Sequence, residues 1–278
     1  MEYSYLRFPG FKIKAVTLSY DDATIYDEKL IGILNKYGLK CTFNINSGIL
    51  GTSERFLNKD QAVKLYKDTP HEVAVHGAVH HALDTLPTTA QICWEIISDR
   101  HELEKMFGRI VNGMAYASGT YDTQAVETLK YCGIKYARTI ENDTNFALPA
   151  DWLRMPATCH HTNPELMTLA QKFLELKLQP RFVCRQPYLF YLWGHSYEFN
   201  DNNNWHVIED FCKLMGGRDD VFYCTNGELF EYVTAFNNLV YSVDGKWVHN
   251  PSAIDVYLDY LGKERLVKSN QTINLGEE

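Results

Sequence analysis

A chain of 278 residues with 45% hydrophobic and 22% charged residues is long enough to bury a large core and has the composition of an ordinary globular protein. Its net charge of −8 argues against nucleic acid or an anionic membrane surface as partner, and no apolar run approaches the ~20 residues of a membrane-spanning helix. The first residues, MEYSYLRFPGFKIK, lack the apolar stretch of a signal peptide, and the seven cysteines (41, 93, 132, 159, 184, 212, 224) are odd in number, scattered and free of CxxC spacing, so a cytoplasmic protein with reduced, structural thiols is expected.

Strand-like and helix-like runs alternate along most of the chain. KAVTLSY (14–20) reads as a buried strand, followed by a helix over 24–37 with Gly38 at its C-cap. KCTFNIN (40–46) is a second strand, and a helix begins at the N-cap Asn58. HEVAVH (71–76) is a third strand, and a long helix over 88–107 ends at Gly108. GMAYAS (113–118) leads into a helix near 122–132, after which IKYAR precedes an irregular stretch over 138–152 and the short run WLRMP. Asn163 and Pro164 carry the signature of an N-cap and first helical position for the next helix. PYLFYLWG (187–194) is a strand, a helix near 204–215 stops at Gly216 and Gly217, VFYCT is a strand, and GELFEYVTAF a helix.

Seven or eight such β/α units predict a parallel sheet flanked by helices, either barrel-like or doubly wound. The last forty or so residues change character: LVYSVDGKWVHNP places an Asp-Gly turn between β-rich runs. The expected organisation is one α/β domain over 1–236 and a small β-rich extension over 237–278.

Reactive side chains fall at the ends of the strands. Asp21 and Asp22 follow the first, His76 closes the third with His80 four residues later, Ser118 ends the fourth, Arg154 lies in WLRMP, and His195 closes LFYLWGH. In a parallel α/β barrel all C-terminal strand ends share one face, so these residues would converge on one mouth. An adjacent Asp pair can cap a helix, form a solvated turn, or divide its work between a metal and a proton; the pair Asp219-Asp220, in GGRDDVFYC, reads as ordinary turn chemistry. Two His four apart can face one metal, and a strand-one carboxylate would complete an open Asp-His-His set suited to zinc or another first-row divalent ion.

The order SYDD, HGAVH, AYASG and LWGH resembles the polysaccharide deacetylases, the family-4 carbohydrate esterases with the NodB homology fold, over about residues 13 to 236. The resemblance implies a distorted (β/α) barrel and a metal-dependent hydrolase that removes N- or O-linked acetyl groups from a carbohydrate. It implies Asp21 as general base, Asp22, His76 and His80 as metal ligands, His195 as general acid, and the backbone N–H of Ser118 as a donor to the oxyanion. The metal would be zinc, with cobalt, nickel or manganese as alternatives. Ala23 stands where the family commonly has Gly, His81 where it has Pro, and AYASG lacks the Arg that braces the base, a role for which Arg154 is the candidate. Tyr197, Asn46 and Asn226, and with them Asn44 and Trp205, are candidate substrate contacts. The rival readings are a hydrolase opening a cyclic amide or ureide on the same scaffold, and a carbohydrate-binding protein without catalysis.

Overall fold

The computed structural model describes residues 3–178 and 185–277; Cys184 lies outside them. In chain order the elements are β1 (Ser4–Arg7), β2 (Lys14–Asp21), α1 (Asp27–Tyr37), β3 (Cys41–Ile45), α2 (Lys59–Tyr66), β4 (Glu72–Val75), α3 (Thr89–Phe107), β5 (Gly113–Ala115), α4 (Thr123–Tyr131), β6 (Tyr136–Asn142), β7 (Met155–Ala157), β8 (Cys159–His160) and α5 (Leu166–Glu175). They continue as β9 (Tyr188–Gly194), α6 (Ser196–Asp201), α7 (His206–Met215), β10 (Val221–Tyr223), α8 (Asn226–Asn237), β11 (Val240–Tyr241), β12 (Trp247–His249), β13 (Val256–Tyr260), β14 (Lys263–Val267) and β15 (Thr272–Asn274).

Strands β2 to β10 form one sheet in which every pairing is parallel. The order is β7-β6-β5-β4-β3-β2-β9-β8, and β10 lies beside the first half of β2, ahead of β3, which takes the second half. No hydrogen-bonded pair joins β7 to β8 among the described residues. All eight residues of β2 are buried, as a central parallel strand covered on both faces requires. The largest core cluster packs helices against this sheet through Leu30, Leu34, Ile92, Ile96, Leu129, Phe173 and Phe211.

Local signals hold where they rest on caps. Gly38 ends α1 with φ 71°, Asn58 and Gln61 form a reciprocal capping box on α2, and Gly108 ends α3 with φ 66°. Three details differ. The first helix begins at Asp27, because Thr24 is held in a bridge to Phe56. Asn163 does not cap α5; its Oδ1 accepts from the N–H of Glu165 in a turn before the helix. The stretch expected to be irregular from residue 138 is still strand through Asn142.

The β-rich tail is two small sheets, β1-β13-β14 and β11-β12-β15. The first takes its edge strand from the beginning of the chain, so the extension and the N-terminus pack together on α8. Tyr232 of α8 fastens this corner: its hydroxyl donates to the carbonyl of Arg7 at 2.7 Å and accepts from the N–H of Tyr257 at 3.0 Å.

Candidate active site

The C-terminal ends of β2, β4 and β9 bring five of the expected residues together. Nε2 of His76 lies 3.7 Å from Asp21 Oδ2 and 3.7 Å from Asp22 Oδ1, and Nε2 of His80 lies 3.8 Å from the same Asp22 oxygen. Nε2 of His195 approaches from the other side, 3.9 Å from Asp21 Oδ2 and 4.0 Å from Asp22 Oδ2.

Two adjacent carboxylates can face one point only if the strand is broken between them. Asp21 is the last residue of β2, and Asp22 and Ala23 then take φ of 79° and 51°. The turn is pinned by the Asp22 N–H, which donates to Asn44 O at 3.0 Å. His80 is also left-handed, at φ 62°. Such backbone costs on the order of 1 kcal/mol or more per residue outside glycine, and it concentrates at sites that need a side chain aimed.

The HGAVHH loop is held from beneath. The Asn46 amide donates to the carbonyls of His76 (2.6 Å) and Gly77 (2.8 Å), and Asp99 of α3 accepts from the backbone N–H groups of Ser47 (2.7 Å) and His76 (3.0 Å). Glu95 accepts from Val79 and His81, and a Cβ at Gly77, where φ is 84°, would sit 2.9 Å from that carboxylate. Glycine is required there.

His76 Nδ1 donates to the carbonyl of Ala115 at 2.9 Å, which fixes the tautomer and leaves Nε2 as a bare lone pair. That Nε2 and Oδ1 of Asp22 are both buried without a hydrogen-bond partner. Two orphaned acceptors facing each other, with a third ring nitrogen beside them, are unfavourable unless a cation lies between them. The Asp22, His76 and His80 set therefore fits a divalent metal. His81 is exposed and takes no part in this group.

Asp21 is almost fully buried. Burial alone would raise its pKa, but Arg138, then the His76 and His195 rings and the Asn44 amide, outweigh it and hold the carboxyl well below the usual range. Arg138 of β6 donates to Oδ2 of Asp21, and the Asn44 amide donates to Oδ1 at 2.8 Å. The guanidinium stacks on Trp193, 4.3 Å from the ring centroid.

His195 is governed by Glu198, one turn into α6. Nδ1 lies 3.3 Å from Glu198 Oε2, and the backbone N–H of His195 donates to the same oxygen at 3.2 Å. An ionised carboxylate only accepts, so Nδ1 carries the proton and Nε2 faces the Asp pair. Burial disfavours the imidazolium, but Glu198 and the two aspartates outweigh it and raise the pKa above the ordinary value.

Other expectations need correction. Arg154 does not brace the base: it is part-exposed and pairs with Asp151 at 2.6 Å, while Arg138 occupies the position beside Asp21. Asn226 is not a substrate contact; it is buried, bonded to Thr17, Tyr191 and the Thr42 hydroxyl. Asn46 and Asn44 are likewise buried braces, and Trp205 packs against Phe199 under Lys29. Tyr197 does lie at the site, with its ring centroid 5.1 Å from that of His195 and Arg55 stacked on it at 4.3 Å. Ser118 is exposed, on a left-handed turn (φ 58°) just after β5, the strand whose Ala115 holds His76.

A family model described as polysaccharide deacetylase matches residues 10–137, which include Asp21, Asp22, His76, His80 and Ser118 but not Arg138 or His195. No curated protein sequence matches the chain. Among solved structures, a Mycobacterium smegmatis protein assigned to the polysaccharide deacetylases is similar with a TM-score of 0.62 at 13% identity, covering 85% of this chain and 96% of that one. A family 4 carbohydrate esterase from Streptomyces lividans, in complex with acetate, gives 0.51 at 16% identity over 76% and 91%. The chitin deacetylase of the fungal pathogen Colletotrichum lindemuthianum gives 0.51 at 22% identity over 78% and 87%. The match spans only 61% and 44% of the length of two further deacetylase structures. By its matching segment and its fold, the chain resembles the polysaccharide deacetylase family, with the parallel α/β architecture of that family's solved structures.

Proposed function

We propose that the protein is a metal-dependent hydrolase that removes acetyl groups from a carbohydrate, with Asp22, His76 and His80 holding the metal, Asp21 as base and His195 as acid. The observation that carries this reading is the convergence of two carboxylates and three imidazoles from three strand ends on one point, with Nδ1 of His76 and of His195 bonded on the side away from it and Nε2 of each facing it.

A divalent ion held there would supply Lewis acidity, polarising an acyl carbonyl and making a water more acidic. Asp21, kept ionised by Arg138, accepts the proton of the attacking water. The Ser118 N–H is the donor we assign to the oxygen that gains charge in the tetrahedral state. His195, kept protonated by Glu198, delivers its Nε2 proton to the departing sugar nitrogen or oxygen. Tyr197 offers a ring for a sugar face beside His195. The substrate class is an acetylated oligosaccharide and zinc the first choice of metal. The odd, scattered cysteines support a cytoplasmic setting, and no described helix is long and apolar enough to cross a membrane. The 1–236 segment is the catalytic unit and 237–278 an extension packed on it.

The test is acetate release from a panel of N- and O-acetylated oligosaccharides, with and without chelator. Release that the chelator abolishes and zinc restores supports the reading. Cleavage of a cyclic amide without acetate release would replace it with the rival hydrolase.

A further inference from the structure

A second group of donors lies on the far side of His195. His160 ends the edge strand β8, and His161 begins the turn after it, its N–H donating to Trp193 O at 2.9 Å. Successive side chains on a strand point to opposite faces, yet here both rings face one way, with centroids 4.5 Å apart. Each presents Nε2 at 3.2 Å from the same oxygen, Oε2 of Glu198.

His161 is the most constrained. It is 2% exposed, and its ring lies between Tyr20, at 5.7 Å, and Phe199, at 4.1 Å. Gly194 leaves it room, since a Cβ there would stand 2.0 Å from Nδ1. Neither ring nitrogen finds hydrogen-bond geometry, although Nε2 is within 3.2 Å of a carboxylate. A short contact without a hydrogen bond is the arrangement of two ligands aimed at a shared third point. Ligands bound tetrahedrally at ~2.0–2.1 Å are separated by roughly 3.3 Å, which matches the two separations here. His160 Nδ1 is held by Thr162, 2.7 Å from the hydroxyl and 3.2 Å from the backbone N–H. The Thr162 N–H donates to Nδ1, so ligation through Nε2 requires the ring proton to move to Nδ1, where the Thr162 hydroxyl oxygen would accept it.

We propose that His160, His161 and Glu198 form a second metal site for a divalent first-row ion such as zinc or cobalt, separate from the Asp22, His76 and His80 group. Two imidazoles and one carboxylate select such an ion over magnesium or calcium, which prefer all-oxygen ligands. Filling the site takes the Glu198 oxygen that otherwise bonds His195.

The test is equilibrium dialysis of the metal-stripped full chain against Co²⁺, with Mg²⁺ as control and the visible spectrum of bound cobalt as a second readout. The expected results are two equivalents for the parent, one for His80→Ala, one for His160→Ala and none for the double variant. The ion remaining in His80→Ala should give the intense visible bands of low-coordinate cobalt. Glu198→Gln, which keeps the side chain's shape, should also lose one equivalent. A parent that binds one equivalent, lost in His80→Ala and kept in His160→Ala and Glu198→Gln, overturns the proposal and makes the group a hydrogen-bonded clamp. Loss of an equivalent in His160→Ala but not in His80→Ala would support the second site while removing the first.

Discussion

The Arg138 guanidinium donates to Oδ2 of Asp21 across the end of the sheet, and both side chains are almost wholly buried. Removing one partner of such a pair leaves the other charge buried and uncompensated. Arg138→Met should therefore raise the Asp21 pKa and shift the acid limb of the pH–kcat profile toward neutral pH, with Arg138→Lys restoring part of the shift. Asp21→Asn should lower turnover by roughly 10²–10⁴ with metal content intact. An unmoved acid limb in Arg138→Met would mean that Arg138 only packs against Trp193.

The cluster's core was legible because each member sits at a strand end, where parallel topology does the gathering. The supporting residues were harder to read. Arg138 lies inside IKYAR, which reads as a plain strand; a charged residue amid buried neighbours signals a buried partner, but nothing local says which. Arg154 stands in a turn whose Asp151 satisfies it, so its place near a strand end did not make it the brace. Glu198 follows His195 at the i+3 spacing of a helix start, but α6 spans only Ser196–Asp201, too short to show periodicity. Asn226 and Asn46 have the polarity of ligands for sugar, but burial turns that polarity inward. The tail's sharing of β1 depends on pairing between residues some 250 positions apart, which no local pattern encodes.

The first metal group predicts a graded set of variants. Alanine at Asp22, His76 or His80 should reduce bound metal and acetate release together, because each contributes one ligand atom to the same point. His81→Ala should spare both, since His81 is exposed and outside the group. Metal analysis of the four proteins after dialysis checks this. Undiminished metal in His76→Ala and His80→Ala would place the site elsewhere.

His195 and Glu198 make a prediction whose sign is fixed. The acid must be protonated to act, and the Glu198 carboxylate helps raise its pKa, so Glu198→Gln should lower that pKa. The basic limb of the pH–kcat profile should then move to lower pH, while the acid limb, assigned to Asp21, stays. His195→Ala should lower turnover by roughly 10²–10⁴ at all pH values and retain metal at the Asp22 group. A Glu198→Gln profile that only falls in height would show that Glu198 matters for structure and not for the proton.

Asp27 gives a stability prediction separate from catalysis. It is fully buried at the start of α1, where Tyr66 donates to Oδ2 at 2.5 Å and Ser196 donates to Oδ1, with Thr24 Oγ1 2.8 Å from the Ser196 hydroxyl. Burial pushes its pKa up to about 7, and the hydrogen bonds from Ser196 and Tyr66 only partly offset that. An unfolded Asp titrates near ~3.9, so between these values the folded protein keeps a proton that the unfolded chain has lost. The stabilising contribution is thus complete below about pH 4 and declines as pH rises, until it is gone above the folded pKa. Asp27→Asn imitates the protonated form and carries no such dependence. Asp99 is also raised to about 7, so the slope of the parent alone would mix the two groups, and the difference between parent and variant isolates Asp27. Urea unfolding of both proteins at pH 5 and pH 8 should show the variant gaining stability relative to the parent at the higher pH. A difference that stays constant between the two would mean that Asp27 is ionised in the folded protein throughout.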